Sequence, residues 1–414
     1  MAISKKIVLI GLAFTMLQLA GCSSSERSSE SSPASTKQIE KENTVQPEPS
    51  LTANPDNQTM VERSLVSTGN TYRMKKAIEK ARSGQETTIA YLGGSITQGF
   101  NGGEENYAKL SFQSFADQYG TGDNVKYVNA GMAGTPSMLG LIRAERDVLQ
   151  HEPDIVFVEF AVNDANDELN MTAYESLLRR ILDSKKQPAV VLIFTVTDTG
   201  YSAQKEMESI GRHYDLPMIS VKDAIMPEIE AGAMTWLDYS DDTVHPDVKG
   251  HALITEFVRH YYQVLESEEK DNKPVIPDTT VYGKVFENMV MLDATNTKAV
   301  TTGSFAEEAT IQQFPSGWTH RADGGNDSFV LELTASSLFI VTKESNDAST
   351  GTIVILVDGE PKLSIDGYNT SGWNNPATKL VFQEEKAGKH RIEIRMGLGS
   401  ETKEFSILAF GVAK

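Results

Sequence analysis

Gly93-Gly94-Ser95-Ile96-Thr97 sets a serine among glycines at the end of an apolar run. A tight turn there can expose the hydroxyl and leave a substrate room to approach. In Asp242-Thr243-Val244-His245-Pro246 a carboxylate stands three residues ahead of a histidine. That spacing lets it reach the ring Nδ1 within one loop, fix the tautomer and stabilise the imidazolium. A hydroxyl, an imidazole and a carboxylate are the parts of nucleophilic acyl transfer, because a serine attacks poorly until an adjacent base takes its proton. Two further segments could supply donors for a developing oxyanion. Asn129-Ala130-Gly131-Met132-Ala133-Gly134 offers bare glycine N–H groups, and Phe160-Ala161-Val162-Asn163-Asp164 offers an amide. Taken singly, each segment also fits a turn, a helix N-cap or a polar surface loop. Asp241 rivals Asp242 as the acid, and Asp238 is a more remote alternative.

These residues need a scaffold that brings distant segments together. Apolar runs at Thr88–Gly93, Val125–Asn129, Asp154–Val162, Ala189–Val196 and Met218–Val221 alternate with amphipathic stretches. Tyr174, Leu177, Leu178, Ile181 and Leu182 follow helical spacing, and Leu253, Phe257, Tyr261 and Leu265 step by four along a last helix. Uniformly apolar strands separated by such helices predict a parallel sheet covered on both faces. Ligands bind such sheets at the carboxyl ends of the strands. Ser95, Gly134 and Asn163 each follow one of these runs, and Asn163 shares a crevice with Ser95 if their strands are parallel neighbours.

The succession Gly-x-Ser-x-Thr, Asn-x-x-x-x-Gly, x-x-Asn-Asp and Asp-x-x-His over residues 93–246 resembles the SGNH (GDSL-type) hydrolases. The resemblance implies a flavodoxin-like three-layer α/β/α domain and a serine esterase. It implies Ser95 as nucleophile, His245 as base and Asp242 as its orienting partner. Gly134, Asn163 and the Ser95 N–H become the oxyanion hole. The chain departs from the family pattern at Gly94, where an Asp is usual, and at Ala161, where a Gly is usual. No His-Glu-x-x-His, cysteine cluster or Gly-Lys-Ser phosphate loop is present, so neither metal nor cofactor is expected.

The flanks bound the substrate. Lys5 and Lys6 precede an apolar run Ile7–Ala20 ending in Leu19-Ala20-Gly21-Cys22, which resembles the lipobox of bacterial lipoproteins. The resemblance implies a signal over residues 1–21, acylation of Cys22 and an exported protein held at the cell membrane on its extracytoplasmic side. A Ser-rich tether is expected over 22–62, since such a composition cannot offset its ordering entropy by burial. The hydrolase domain is then expected over 63–266, a linker over 267–280, and a jelly-roll-like antiparallel β-sandwich over 281–414, where apolar residues alternate and Asp358-Gly359 marks a hairpin. The chain has 414 residues, a single cysteine and a net charge of −19, which excludes a disulfide scaffold and argues against nucleic acid as partner.

An exported domain of this kind with a sandwich behind it resembles carbohydrate O-acyl esterases. That implies removal of O-acyl groups, above all O-acetyl, from a polysaccharide or glycoconjugate. Trp318, Tyr368 and Trp373 are candidate sugar-stacking residues; packing in the sandwich core is the alternative. A lipase or lysophospholipase with the same triad, or a non-catalytic glycan-binding surface lipoprotein, are the competing readings.

Overall fold

The computed structural model describes residues 55–308 and 310–414. The expected signal, Cys22 and most of the expected tether lie outside the described residues. The last part of that tether is helical: α1 spans Pro55–Ser64, and Met60 is buried in the core.

Six strands form the first sheet: β1 (Leu65–Ser67), β2 (Thr87–Gly93), β3 (Val125–Gly131), β4 (Ile155–Glu159), β5 (Ala189–Phe194) and β6 (Met218–Ser220). Their order is β1-β6-β5-β4-β2-β3, parallel throughout except that β1 runs antiparallel to β6. This edge strand has three residues and only half-buried side chains, too little pattern to read from sequence. The helices are α2 (Tyr72–Arg82), α3 (Ser95–Gln98), α4 (Tyr107–Tyr119), α5 (Ser137–Asp147), α6 (Glu168–Leu182), α7 (Gln204–His213), α8 (Val221–Glu230) and α9 (Val248–Ser267). Successive strand residues feed opposite cores, as pleating requires. Ile89, Tyr91, Ile155 and Phe157 pack with α9 residues Phe257 and Tyr261, whereas Ala90, Leu92, Val156 and Val158 pack with α5 and α6. From β2 the chain first adds β3 on one side and then β4 on the other. The crevice at this reversal, outside the carboxyl end of β2, is where such sheets hold ligands.

The second unit is antiparallel. It comprises β7 (Val290–Leu292), β8 (Phe305–Glu308), β9 (Gly317–His320), β10 (Phe329–Ser345), β11 (Thr352–Val357), β12 (Glu360–Asp366), β13 (Trp373–Met396) and β14 (Phe405–Ala413). The hydrogen-bonded order is β12-β11-β13-β10-β14-β9-β8, with β7 added on β14. β10 and β13 pair along their length, and register breaks at Ala335/Ser337 and Leu338/Phe339 bend them. The bent sheet closes on a core of Trp318, Phe329, Ile340, Ile355, Ile394 and Phe410.

The two units share apolar packing. β14 is buried along its whole length: Phe405, Ile407 and Phe410 face the second unit's core, while Leu408, Ala409 and Ala413 join the cluster holding Leu141 and Ile142 of α5. Gly411 is part of this fit, since a Cβ there would stand 2.6 Å from Ile142 Cγ1. The end of the segment read as a linker, at Pro277, and the residues just after it are strapped down. The buried Glu175 carboxylate on α6 accepts the N–H groups of Val281 (2.8 Å), Tyr282 (2.6 Å) and Gly283 (2.9 Å). Arg179 donates to the Pro277 carbonyl at 2.7 Å and to Glu287 at 2.9 Å. Among the described residues no helix is long and apolar enough to cross a membrane.

Candidate active site

Gly93 ends β2 and Ser95 opens the one-turn α3, so the serine sits directly outside the strand's carboxyl end. Its Oγ lies 2.9 Å from His245 Nε2. His245 lies in the loop before α9, whose first turn is capped by Asp247 through its bond from Gly250 N (2.9 Å). His245 Nδ1 lies 2.8 Å from Asp242 Oδ2. The other carboxylate oxygen, Oδ1, accepts the backbone N–H of His245 (2.6 Å) and of Val244 (2.7 Å). Ser240 Oγ donates to the Asp242 carbonyl at 2.9 Å and closes the loop. Partial burial pushes the Asp242 carboxyl up, but the two amides and the imidazole outweigh this and hold it below the usual carboxylate range. Asp242 is therefore the acid in contact. Asp241 is exposed, and Asp238 is engaged with Thr235 at 2.8 Å in a local cap.

The expected oxyanion donors are on the neighbouring strand ends. Gly134 follows β3 with φ +68°, a left-handed conformation that a side chain would strain. Asn163 follows β4, and its amide lies against Gly94: a Cβ on Gly94 would stand 2.3 Å from Asn163 Oδ1. At the first departure from the family pattern, a side chain at position 94 would therefore require the Asn163 amide to shift from where it stands. At the second departure, Ala161 is wholly buried and its carbonyl accepts Ala203 N at 2.7 Å.

Asp164 ties the two donor segments together. Its Oδ1 accepts Ser137 N at 2.7 Å, three residues beyond Gly134, and its carbonyl accepts Tyr201 Oη at 2.5 Å. Burial pushes its carboxyl up to about 7 against the opposing Ser137 bonds. A native state that holds a proton more tightly than the unfolded chain loses stability as pH rises from the ordinary carboxylate value, roughly 4, to the native one. Unfolding free energies should therefore show the wild type losing stability relative to Asp164→Asn between pH 4 and 7. Parallel profiles over that window would refute the assignment.

Several site residues carried no sequence signal. Phe100, half exposed, lies with its ring centroid 4.5 Å from that of His245. Asn101 Nδ2 reaches Asp242 Oδ2 at 3.3 Å. His251 on α9 is fully buried and bonds the Phe100 carbonyl through Nε2 at 3.0 Å, fixing that wall of the site. Burial pushes its imidazole pKa down. Trp373, one of the candidate sugar-stacking residues, begins β13. It is 51% exposed, and its Cζ2 would lie 3.4 Å from a Cβ on Gly134, so the C-terminal unit forms part of the active-site rim. Tyr368, also partly exposed, bridges Ser345, the residue paired with Trp373. Trp318 has no surface to offer a ligand. It is fully buried between Phe329 and Phe410, so its part is packing.

A hydroxyl bonded to an imidazole, itself bonded to a carboxylate, with amide donors on adjoining strand ends, can perform acyl transfer on an ester. Residues 91–253 match the GDSL-like lipase/acylhydrolase family. This stretch carries all four of the site segments, from Ser95 to His245. No curated protein matches the chain. Among solved structures it is similar to a two-domain esterase active on acetylated mannans, at 29% identity and TM-score 0.78, covering 86% of this chain and 98% of that one. The same esterase co-crystallized with mannopentaose matches at 28% identity and TM-score 0.77, with the same coverage.

Proposed function

We propose that this chain removes O-acetyl groups from a polysaccharide by a Ser-His-Asp mechanism. The observation that carries the carbohydrate reading is Trp373: an exposed indole brought by the C-terminal unit to the glycine that would hold the oxyanion. An aromatic face beside the reacting ester suits a sugar ring, which offers apolar C–H faces for stacking. The likeness to an esterase active on acetylated mannans extends over both units and supports the same substrate class.

In this mechanism His245 Nε2 takes the Ser95 proton as Oγ attacks the acetyl carbonyl. The tetrahedral oxyanion is held by the N–H groups of Ser95 and Gly134 and by the Asn163 amide. His245 then gives the proton to the departing sugar hydroxyl, leaving acetyl-Ser95. Water, activated by the same imidazole, releases acetate. Asp242, ionised through mild acid, holds the tautomer and offsets the imidazolium charge. We infer further that the signal ends before Cys22 and that acylation of this cysteine ties the enzyme to the outer face of the cell membrane, among exported glycans.

Acetate released from a panel of acetylated mannan, xylan and pectin tests the substrate class. Release from at least one glycan, lost in Ser95→Ala, is expected. Preference for octanoyl over acetyl aryl esters with no acetate from any glycan would favour the lipase reading instead. Trp373→Ala should raise KM for the acetylated polysaccharide about tenfold, as expected for a lost stacking anchor, with little change for p-nitrophenyl acetate. Equal effects on both substrates would remove Trp373 from sugar recognition.

A further inference from the structure

The peptide that leads into Ser95 is flanked by two buried ionisable side chains, and the mechanism above uses neither. Arg143 on α5 is wholly buried. Its Nη2 donates to the Gly93 carbonyl at 3.1 Å and its Nη1 to the Ala130 carbonyl at 2.7 Å, so one guanidinium links the carboxyl ends of β2 and β3. Met132 N also donates to the Gly93 carbonyl, at 3.0 Å. Asp147, one helical turn along α5, balances the guanidinium charge at 3.1 Å.

On the opposite side stands Glu159, the last residue of β4, also wholly buried and in register with Gly93. Its Oε1 accepts Thr195 Oγ1 at 2.7 Å and its Oε2 accepts Thr97 Oγ1 at 3.0 Å. Thr97 Oγ1 in turn lies 2.7 Å from Tyr107 Oη. Burial pushes the Glu159 carboxyl up, and the two threonine hydroxyls together with the backbone amides of Gly94 and Thr97 oppose this. The Gly93 carbonyl thus rests on a guanidinium, and the first turn of α3 is tied through the Thr97 hydroxyl to a carboxylate. Space around Gly93 is exhausted: a Cβ on it would stand 2.1 Å from Thr97 Oγ1.

A buried ion pair is a weak source of stability, because desolvation opposes the Coulombic gain. Two charges placed on either side of the reacting residue fit a positional task better. We propose that Arg143, through the Gly93 carbonyl, and Glu159, through the Thr97 hydroxyl, form a charged clamp on the turn carrying Ser95 that positions its hydroxyl and N–H for attack. Both are positioning residues, acting through that turn and not on the substrate. The proposal rests on Ser95 being the nucleophile.

The test compares the wild type with Glu159→Gln, Arg143→Lys and the double variant, each confirmed folded by thermal unfolding. Each single change should lower kcat on p-nitrophenyl acetate by about 10- to 100-fold, the scale of a small misplacement of reacting groups, with KM nearly constant. Phosphorylation of Ser95 by diethyl p-nitrophenyl phosphate, with release of p-nitrophenolate, should slow in parallel. The acid limb of the pH profile should not move, since the His245–Asp242 pair is untouched. The double variant should be about as slow as the worse single one, because both groups hold the same short Gly93–Thr97 turn. Folded variants with wild-type kcat and labelling rate, or losses that multiply in the double variant, would overturn the clamp. If either variant fails to fold, Thr97→Val keeps the volume and removes a hydroxyl that fixes Glu159; the same parallel fall in kcat and labelling is expected, and its absence counts against the clamp. A Ser95→Ala variant as active as the wild type would instead sink the nucleophile assignment, and is read separately.

Discussion

Ser95→Ala should abolish ester hydrolysis, lowering kcat by about 10⁴-fold or more while the fold stands. The Oγ has one partner, His245 Nε2 at 2.9 Å, so its removal leaves no other buried group without a bond. The backbone N–H of residue 95, Gly134 and Asn163 all remain, so the variant should still bind substrate and keep a trace of oxyanion stabilisation. Its KM or Kd for an acetylated oligosaccharide should therefore stay near the wild-type value. Steady-state kinetics together with a thermal unfolding curve check this. A variant within tenfold of wild type would contradict the mechanism, and one that fails to fold would show that the hydroxyl has a structural duty the hydrogen bonds do not reveal.

Asp242→Asn should come close to this in effect, about 10⁴-fold in kcat, for a reason visible in the loop. The carboxylate Oδ1 accepts two backbone N–H groups, from Val244 and His245. An asparagine must place its carbonyl oxygen there, which turns its NH2 toward His245 Nδ1. That nitrogen can then only accept, so the ring proton moves to Nε2, the atom that must receive the serine proton. The variant should be folded, should bind substrate and should be nearly inert at neutral pH. Activity within tenfold of the wild type would mean that the imidazole keeps its working tautomer without Asp242.

Much of the catalytic constellation was legible in the sequence because chemistry and punctuation coincide there. Ser95, Gly134 and Asn163 each follow an apolar strand-like run, and their order along the chain matches a known family. The α/β alternation was legible for the same reason, since strands buried on both faces leave unbroken apolar runs such as Thr88–Leu92. What could not be read depends on contacts across long stretches of chain. Trp373 reaches Gly134 from the start of β13, a strand of 24 residues whose length no local pattern in the sequence announces. Arg143 reads as an ordinary charge on an amphipathic helix until α5 is laid against β2 and β3. Glu159 is hidden within a run that otherwise looks uniformly apolar. Trp318 could have been either core or contact, and a single sequence offers no basis for choosing between them. The packing of α5 on β14 was equally invisible, because Leu408, Ala409 and Ala413 read as one more buried strand with no indication of what covers it.

Turnover through a covalent intermediate requires that Ser95 itself carry the acetyl group. Acid-quenching the protein against an acetyl ester in the first turnovers, followed by peptide mapping by mass spectrometry, reads this out. One acetyl group is expected on the peptide carrying Ser95, absent from Ser95→Ala and accumulating with the burst of released alcohol. An active enzyme whose acetyl group sits on any other residue would contradict the mechanism.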